Sequence, residues 1–252
     1  MSRRQFIAAA VAALAIGAAG AGAVAYAAVP PGLAAALADK GRPAADVARD
    51  AARHPGEMLA WAGLRPGDKV ADFIMGGGYF TRILSVAVGP KGHVYAYQPA
   101  EFVKFSANYG VQQKAVAAAY ANVTPIDSPF AALALPDHLD MVLTVQNYHD
   151  LHLKPFPADN AAKMNAEIYR ALKPGGVYLV VDHVGLAGVD IDKLHRIDPA
   201  QIKTEVQAAG FRLAGESEML RNPADPHTDN VFNPAIRGRT DQVILKFVKP
   251  RG

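Results

Sequence analysis

The sequence has 252 residues, a length that suits one sizeable domain, and it contains no cysteine. A fold built from it therefore has no disulfide, no thiol nucleophile and no zinc–thiolate site, and must be stabilised by its hydrophobic core. Lysine and arginine number 26 against 23 acidic residues and form no basic run, so the composition argues against a nucleic-acid-binding protein.

Residues 1–28 have the composition of an export signal, a basic start followed by a long uncharged stretch rich in alanine and glycine. The start, Ser2-Arg3-Arg4-Gln5-Phe6-Ile7, resembles a twin-arginine signal. Ala25-Tyr26-Ala27 offers a small-residue cleavage site, with Ala23-Val24-Ala25 as a second. We expect a bacterial protein that is exported by the twin-arginine machinery, is periplasmic or otherwise exported, and has no stable membrane insertion after cleavage. A retained N-terminal membrane helix is the alternative.

The remaining residues, 29–252, are predicted to form a single domain that begins with a helical lid over residues 29–63. Helical periodicity predicts helices at residues 33–40, 44–54 and 57–62. We interpret the lid as a structural cover over one end of a sheet. Contact between the substrate and Arg53 or Trp61 is the alternative.

A glycine turn then separates a predicted strand from a predicted helix. Residues 69–74 form a short apolar run typical of a buried parallel strand, and Phe80, Ile83 and Leu84 follow at helical spacing. Between them, Gly76-Gly77-Gly78 can adopt positive φ angles and let a ligand approach the N–H groups at the start of the helix. The pattern predicts a nucleotide-like cofactor, and a tight turn without a ligand is the alternative.

Strands and helices alternate through the rest of the chain. Predicted strands occupy residues 93–97, 122–126, 139–145, 177–181, 211–216 and 242–248. Predicted helices occupy residues 101–108, 111–121, 158–172 and 199–209. This order predicts a doubly wound α/β sheet that is closed by a β-hairpin with a long insert.

Four motifs lie within residues 57–252: Val70-Ala71-Asp72 with Gly76-Gly77-Gly78-Tyr79-Phe80, Leu139-Asp140-Met141-Val142-Leu143, Leu172-Lys173-Pro174-Gly175-Gly176 and Ala209-Gly210-Phe211. They resemble the motifs of class I S-adenosylmethionine-dependent methyltransferases, most closely those of a group of exported bacterial proteins predicted to be methyltransferases. The resemblance implies a mostly parallel, seven-stranded Rossmann-like sheet with a C-terminal antiparallel hairpin, the cofactor S-adenosylmethionine, and methyl transfer to a small-molecule acceptor. It also implies cofactor contacts from Asp72, Gly76, Gly77, Gly78, Tyr79, Gln98, Asp127 or Ser128, and Asn147.

Two positions depart from the pattern of the family. Ile74 stands where the usual motif has a glycine, two residues after the aspartate, and we expect its β-branched side chain to crowd the methionine part of the cofactor or to redirect the loop. Gln98 stands at the end of the second strand, where an acid would hold the ribose hydroxyls more strongly than an amide does. These departures keep a second function open, that of a non-catalytic exported protein that binds another ligand on the same fold.

Polar residues follow the fourth and fifth predicted strands, whose carboxyl ends should meet at one edge of the sheet. We predict that His149, Asp150, Asp182 and His183 are catalytic. His149 would act as a general base, because its unperturbed pKa is near ~6.5, and Asp150 or Asp182 would orient it. The alternative is that these histidines only satisfy backbone groups at strand ends.

The same residues allow a metal site as a further alternative. Asp182-His183 occupies the place where metal-dependent catechol-type methyltransferases carry an Asp-Asn pair, and His149, His152 and His195 supply imidazoles. None of these ligand spacings is diagnostic, so the prediction that we adopt includes no metal.

Residues 222–238, between the last two predicted strands, are rich in Asn, Asp, Pro and His. A loop of this length in a compact domain is usually functional or mobile. We predict that it folds over the acceptor site, with His227, Asp229 and Arg237 as contacts. An exposed excursion on the hairpin is the alternative.

Overall fold

The computed structural model of the protein describes residues 28–252, so all of the predicted export signal except Ala28 lies outside the described residues. The strands in this range are β1 (Lys69–Phe73), β2 (His93–Tyr97), β3 (Val123–Ile126), β4 (Leu139–Val145), β5 (Leu172–His183), β6 (Arg212–Ser217) and β7 (Gln242–Val248). The helices are α1 (Pro31–Leu37), α2 (Ala44–Val47), α3 (Asp50–Arg53), α4 (Pro55–Ala62), α5 (Tyr79–Val88), α6 (Ala100–Phe105), α7 (Ala107–Ala119), α8 (Asn160–Ala171), α9 (Ile191–Leu194) and α10 (Pro199–Ala208), with turns of 3-10 helix at Phe130–Ala132 and His149–His152. Within residues 28–252, none of the helices is both long enough and apolar enough to cross a membrane.

The strands form one seven-stranded sheet in the order β3-β2-β1-β4-β5-β7-β6. The first five strands in this order are parallel, and β7 runs antiparallel to both of its neighbours, β5 and β6. The chain order reverses between β1 and β4, which is the switch point where open α/β sheets bind ligands. The predicted doubly wound, mostly parallel sheet with a C-terminal antiparallel hairpin is confirmed.

Both faces of the sheet are covered, which explains why its strands have near-continuous apolar sequences. Along β1, Val70 packs into the core cluster that contains Ile83 of α5, whereas Ala71 and Phe73 belong to the cluster that contains Ile168 of α8. Burying one such aliphatic or aromatic side chain contributes about 1.5–3 kcal/mol. The carboxyl edge of the sheet is therefore held between two packed cores.

The lid is made of short helices. The predicted single helix over residues 44–54 is wrong, because α2 and α3 are separate helices. The break lets Asp50 face Arg42, whose Nη1 and Nη2 donate to the two carboxylate oxygens at 2.8 and 2.5 Å. The side chain of Arg42 is fully buried, and a buried guanidinium is stabilised by such a two-point carboxylate partner. This ion pair connects the segment before α2 to the start of α3.

β5 begins at Leu172, before the predicted start at residue 177. Gly175 N donates to the Lys249 carbonyl at 2.8 Å, and Lys249 N donates to the Gly176 carbonyl at 3.0 Å, so pairing with the segment after β7 continues through residues 173–176, between the predicted helix and the predicted strand. The left-handed Gly175 (φ 81°) is an irregularity within a continuing strand, where the register against β4 also shifts. Pro-Gly-Gly predicts a turn locally, and only the partner segment shows that the strand goes on.

Candidate active site

The loop between β1 and α5 lies at the carboxyl edge of the sheet, at the switch point. Its backbone is left-handed at Ile74 (φ 64°), Gly76 (φ 55°) and Gly78 (φ 81°). Met75 N donates to the Tyr97 carbonyl at 2.9 Å, which connects the loop to the end of β2. A Cβ added at Gly76 would meet no atom of residues 28–252 within 4 Å, so open space adjoins the turn that is predicted to hold a cofactor.

Ile74 adopts a backbone conformation that normally favours glycine. For a β-branched residue, this left-handed conformation costs about 1–2 kcal/mol. The residue is 3% exposed and belongs to the core cluster that also contains Phe73, Tyr97 and Phe130. The side chain is buried in the core, which corrects the expectation that it crowds the cofactor, and its burial offsets the strain. The left-handed backbone at Ile74 agrees with the other expectation, that this residue redirects the loop.

Asp72, the acid of the β1 motif, is enclosed beside this loop. Thr81 Oγ1 donates to Asp72 Oδ2 at 2.6 Å, and Asp72 is 4% exposed. Burial raises the pKa of Asp72 to about 6, against the opposing effects of the Thr81 hydrogen bonds and the charge of Arg53. A carboxylate whose ionised form is disfavoured in this way gains from a cationic partner, which suits the predicted cofactor contact.

The lid reaches the site through Tyr79 and Arg53. Tyr79 OH donates to Asp50 Oδ1 at 2.6 Å, and Cζ of Arg53 lies 4.5 Å from the centroid of the Tyr79 ring. Arg53 Nη2 donates to Gln146 Oε1 at 2.8 Å, directly after β4, and Gln146 Nε2 donates to Gln242 Oε1 at 2.9 Å. Arg53 thus extends from the lid to the switch point. The hydroxyl of Tyr79, which is predicted to contact the cofactor, is hydrogen-bonded to Asp50 of the lid.

Polar groups without partners lie at the ends of β2 and β3. Gln98 is fully buried, and its Oε1 and Nε2 have no hydrogen-bond partner within residues 28–252. Oγ of Ser128 is likewise buried and unpaired among the described residues, whereas Asp127 is exposed. Leaving a buried polar group unpaired costs about 1–3 kcal/mol, so the Gln98 amide is well placed to bind a polar group of a ligand.

The predicted catalytic residues include a hydrogen-bonded cluster of His149 and Asp150, in the turn after β4, and Asp182, near the end of β5. Asp182 is fully buried; its Oδ2 accepts from the His149 backbone N at 2.7 Å, and its Oδ1 lies 2.8 Å from His149 Nδ1. On the other side of the ring, His149 Nε2 lies 3.3 Å from Asp150 Oδ1. Asn147 Nδ2 donates to Asp150 Oδ2 at 3.0 Å, so Asn147 holds the Asp150 carboxylate in place.

The two carboxylates determine the charge of His149. Burial alone would lower the pKa of His149, but the charge of Asp182, its hydrogen bond and the charge of Asp150 outweigh burial and raise the pKa to about 9. The same pairing lowers the pKa of Asp182 in spite of its burial. His149 is therefore an imidazolium at neutral pH, and the expected neutral base with an unperturbed pKa near ~6.5 is corrected.

His183, the fourth predicted catalytic residue, lies beside this cluster. Its Nδ1 is 2.7 Å from Thr240 Oγ1, and its ring centroid is 6.0 Å from that of His149. Burial lowers the pKa of His183 to about 4. The site therefore contains a neutral imidazole held by a hydroxyl next to a charged imidazole held by carboxylates.

His195 joins the cluster from a distant part of the chain. It has a left-handed backbone (φ 53°) at the end of α9, and its Nδ1 lies 3.9 Å from Asp150 Oδ1. Its ring centroid is 5.4 Å from that of His149 and 4.9 Å from that of Phe232. The catalytic prediction omitted His195, because no local spacing connects it to β4, although the metal alternative named it as a possible ligand. The connection is a backbone bridge between the segment after His195 and the end of β5, which forms only in the folded chain.

The loop between β6 and β7 reaches this cluster through Phe232. Two of its predicted acceptor contacts already interact with other parts of the protein. Nε2 of His227 lies 2.9 Å from Asp241 Oδ2, and the backbone carbonyl of Asp229 accepts a hydrogen bond. Cζ of Arg237 lies 5.9 Å from the centroid of the Phe232 ring. The loop thus places an aromatic ring beside the cluster, a residue that the sequence pattern did not single out.

Solved structures share this fold at low sequence identity. No protein-family model and no curated protein matched the sequence. An S-adenosylmethionine-dependent methyltransferase from Aquifex aeolicus is 20% identical, with a TM-score of 0.55 over 77% of this chain and 89% of that chain. The cyclase SpnF is 19% identical, with a TM-score of 0.57 over 80% and 82% of the two chains. A candidate exported protein from Bordetella parapertussis is 14% identical, with a TM-score of 0.54 over 81% and 68%. The chain therefore has the fold of class I methyltransferases, a fold that also carries other chemistry.

Proposed function

We propose that the protein is a methyltransferase that uses S-adenosylmethionine and methylates a small-molecule acceptor. The observation that carries this proposal is the buried, unpaired amide of Gln98 beside the left-handed glycine loop, at the ends of two adjacent parallel strands. A ribose hydroxyl both donates and accepts hydrogen bonds, as does the amide of Gln98. The end of β2 is also where folds of this kind hold the ribose of a nucleotide.

Different residues would hold different parts of the cofactor. The backbone N–H groups at Gly76-Gly77-Gly78 open the start of α5 to a ligand, and Gln98 would bind the ribose. Asp72, whose pKa is raised by burial, would pair with the ammonium of the methionine part. When bound, S-adenosylmethionine supplies an electrophilic methyl group on its sulfonium.

The acceptor would bind against the cluster after β4, across the switch point from the glycine loop. Methyl transfer requires an aligned nucleophile and, for a hydroxyl or amine, removal of its proton. His149 already carries a proton at neutral pH, so Asp150 is the group that would accept the proton of the acceptor. Asn147 holds Asp150 for this role, and Asp182 holds His149.

Isothermal titration calorimetry of the purified protein with S-adenosylmethionine and S-adenosylhomocysteine tests the proposal. We expect one binding site per chain. Gly76→Ala should weaken binding roughly tenfold or more, because its Cβ enters the open space beside the loop. Gly63→Ala is the matched control. Gly63 also has positive φ (94°) and no atom of the described residues near an added Cβ, but it ends α4, outside the loop.

Both variants should lose similar stability, and only Gly76→Ala should lose affinity. Failure of both compounds to bind would contradict the proposal and favour the alternative of a protein that binds another ligand on this fold. An equal loss of affinity in the two variants would show that the glycine loop has no special role.

A further inference from the structure

Three side chains in the cluster after β4 and α9 direct potential ligand atoms at one point. One potential ligand atom from each of His149, Asp150 and His195 lies within 4.8 Å of the other two. Asp150 Oδ1 is 3.3 Å from His149 Nε2 and 3.9 Å from His195 Nδ1. Metal–ligand bonds of about 2.0–2.2 Å place neighbouring ligand atoms roughly 3–4 Å apart. Only small movements would therefore let these three atoms share one ion.

His149 is oriented as metal-binding histidines usually are. Its Nδ1 is 2.8 Å from Asp182 Oδ1, and its backbone N donates to Asp182 Oδ2 at 2.7 Å. Imidazole ligands of metals almost always donate their second ring N–H to a carboxylate, a carbonyl or water, which fixes the ring and its tautomer. Asp182 thus directs Nε2 of His149 towards Asp150.

The other two side chains are positioned independently. Asn147 Nδ2 donates to Asp150 Oδ2, which leaves Oδ1 turned to the cluster. Nδ1 of His195 is buried and finds no hydrogen-bond partner in the part of the chain that the structure describes. The ring is packed against Phe232, and the residue is held in a left-handed conformation. A ligand role explains both the unpaired nitrogen and the backbone conformation, which is of order 1 kcal/mol unfavourable.

We propose that His149, Asp150 and His195 bind one divalent transition-metal ion, which displaces the proton on Nε2 of His149 into solvent. Two imidazole nitrogens and one carboxylate oxygen suit Zn²⁺, Fe²⁺ or Co²⁺, whereas Mg²⁺ and Ca²⁺ favour sites made of oxygen ligands. A cation would also balance the negative charges of Asp150 and Asp182. Three protein ligands leave coordination positions for water or for an acceptor hydroxyl, which loses its proton more readily on a metal ion. With Oδ1 of Asp150 bound to the ion, the acceptor hydroxyl would release its proton to solvent instead of to Asp150. Metal binding itself requires no S-adenosylmethionine, so it can be tested separately from the proposed methyl transfer.

Calorimetric titration of tag-free protein with ZnCl₂, after treatment with chelator and dialysis, tests the site. We expect one Zn²⁺ per chain and no measurable heat with MgCl₂ under the same conditions. His195→Gln should weaken Zn²⁺ binding by roughly 100-fold, and Asp182→Asn, which removes only the partner of His149, by about 10–100-fold. His152→Gln is the matched control, because His152 lies on the same turn but its Nε2 is 3.0 Å from Glu205 Oε2, away from the cluster.

Co²⁺ provides a second measurement. A visible absorption spectrum of a four- or five-coordinate Co²⁺ ion should appear in the wild type and in His152→Gln, and should be absent in His195→Gln. If circular dichroism shows that His195→Gln is unfolded, Asp150→Asn replaces it, because the amide keeps the shape of the carboxylate and removes its charge. Zn²⁺ binding below one equivalent in the wild type, or equal affinity in the wild type and the folded ligand variant, would overturn the proposal.

Discussion

At the ends of β1 and β2, the protein retains a strained isoleucine and unpaired polar groups, whereas His149, after β4, and Asp182, at the end of β5, pair their charges with each other. The first region, the cofactor side, contains the left-handed Ile74, the buried carboxyl of Asp72 and the unpaired amide of Gln98. In the second region, the acceptor side, Asp182 accepts two hydrogen bonds from His149, and the ring of His149 faces Asp150.

The difference shows which region depends on a ligand. Strain and unpaired buried groups each cost of order 1–3 kcal/mol, and a bound cofactor that pairs them would recover part of that free energy. A buried ion pair with satisfied hydrogen bonds is instead stable without a ligand and becomes costly only when one partner is removed. The His149–Asp182 pair is therefore organised before anything binds, while the groups of the cofactor side, and the unpaired Nδ1 of His195 on the acceptor side, gain from binding.

The largest effect is expected for Asp182, on the acceptor side. Asp182→Ala leaves the imidazolium of His149 buried without its partner, so the free energy of unfolding should fall by about 3–5 kcal/mol in urea denaturation. Asp159→Ala is the control, because Asp159 forms an exposed ion pair with Lys163, 2.8 Å between Oδ2 and Nζ, worth about 0.5 kcal/mol or less. A similarly small loss for Asp182→Ala would show that the acceptor side is not organised by its own charges.

The buried carboxyl of Asp72 should make the free energy of unfolding depend on pH. Its folded-state pKa of about 6 lies above the ordinary value of 3.8, so the fold favours the protonated carboxyl. That contribution is fully present below about pH 4 and is lost as the pH rises through about 6. Relative to Asp72→Asn, the wild type should lose up to about 3 kcal/mol of unfolding free energy between about pH 4 and pH 7.

Urea denaturation of the two proteins at both pH values measures this difference directly. Asp72→Asn keeps an oxygen that accepts from Thr81 Oγ1, so the comparison isolates the charge. A difference in stability that stays constant with pH would mean that Asp72 is not penalised by burial, and one of the features that distinguish the cofactor side would disappear.

The strands and the glycine loop could be predicted because their signals are local. β1, β2 and β4 have apolar sequences of strand length, and Gly76-Gly77-Gly78 marks the change to α5. The positions of His149, Asp150 and Asp182 also followed from the rule that parallel strands end at one edge. The charge of His149 could not be predicted, since it depends on distances to two carboxylates from different segments.

Long-range pairing explains the other errors. His195 lies in the cluster because its segment bridges to the end of β5, and Arg53, at the end of α3, donates to Gln146 directly after β4. Neither contact has a signal in the spacing of residues along the chain. The true start of β5 depends in the same way on Lys249, which follows the last strand.

Ile74 should show the smallest effect, and it tests the strain on the cofactor side most directly. Ile74→Ala and Ile74→Gly both remove the buried side chain beyond Cβ, but only alanine keeps the Cβ that makes a φ of 64° unfavourable. Ile74→Gly should therefore be more stable than Ile74→Ala by about 1 kcal/mol in urea denaturation. At Ile83, which is fully buried within the helix α5, the order should be reversed, with alanine about 1 kcal/mol more stable than glycine. Alanine more stable than glycine at both positions would mean that Ile74 is not strained, and that the two sides of the site differ only in the pairing of their polar groups.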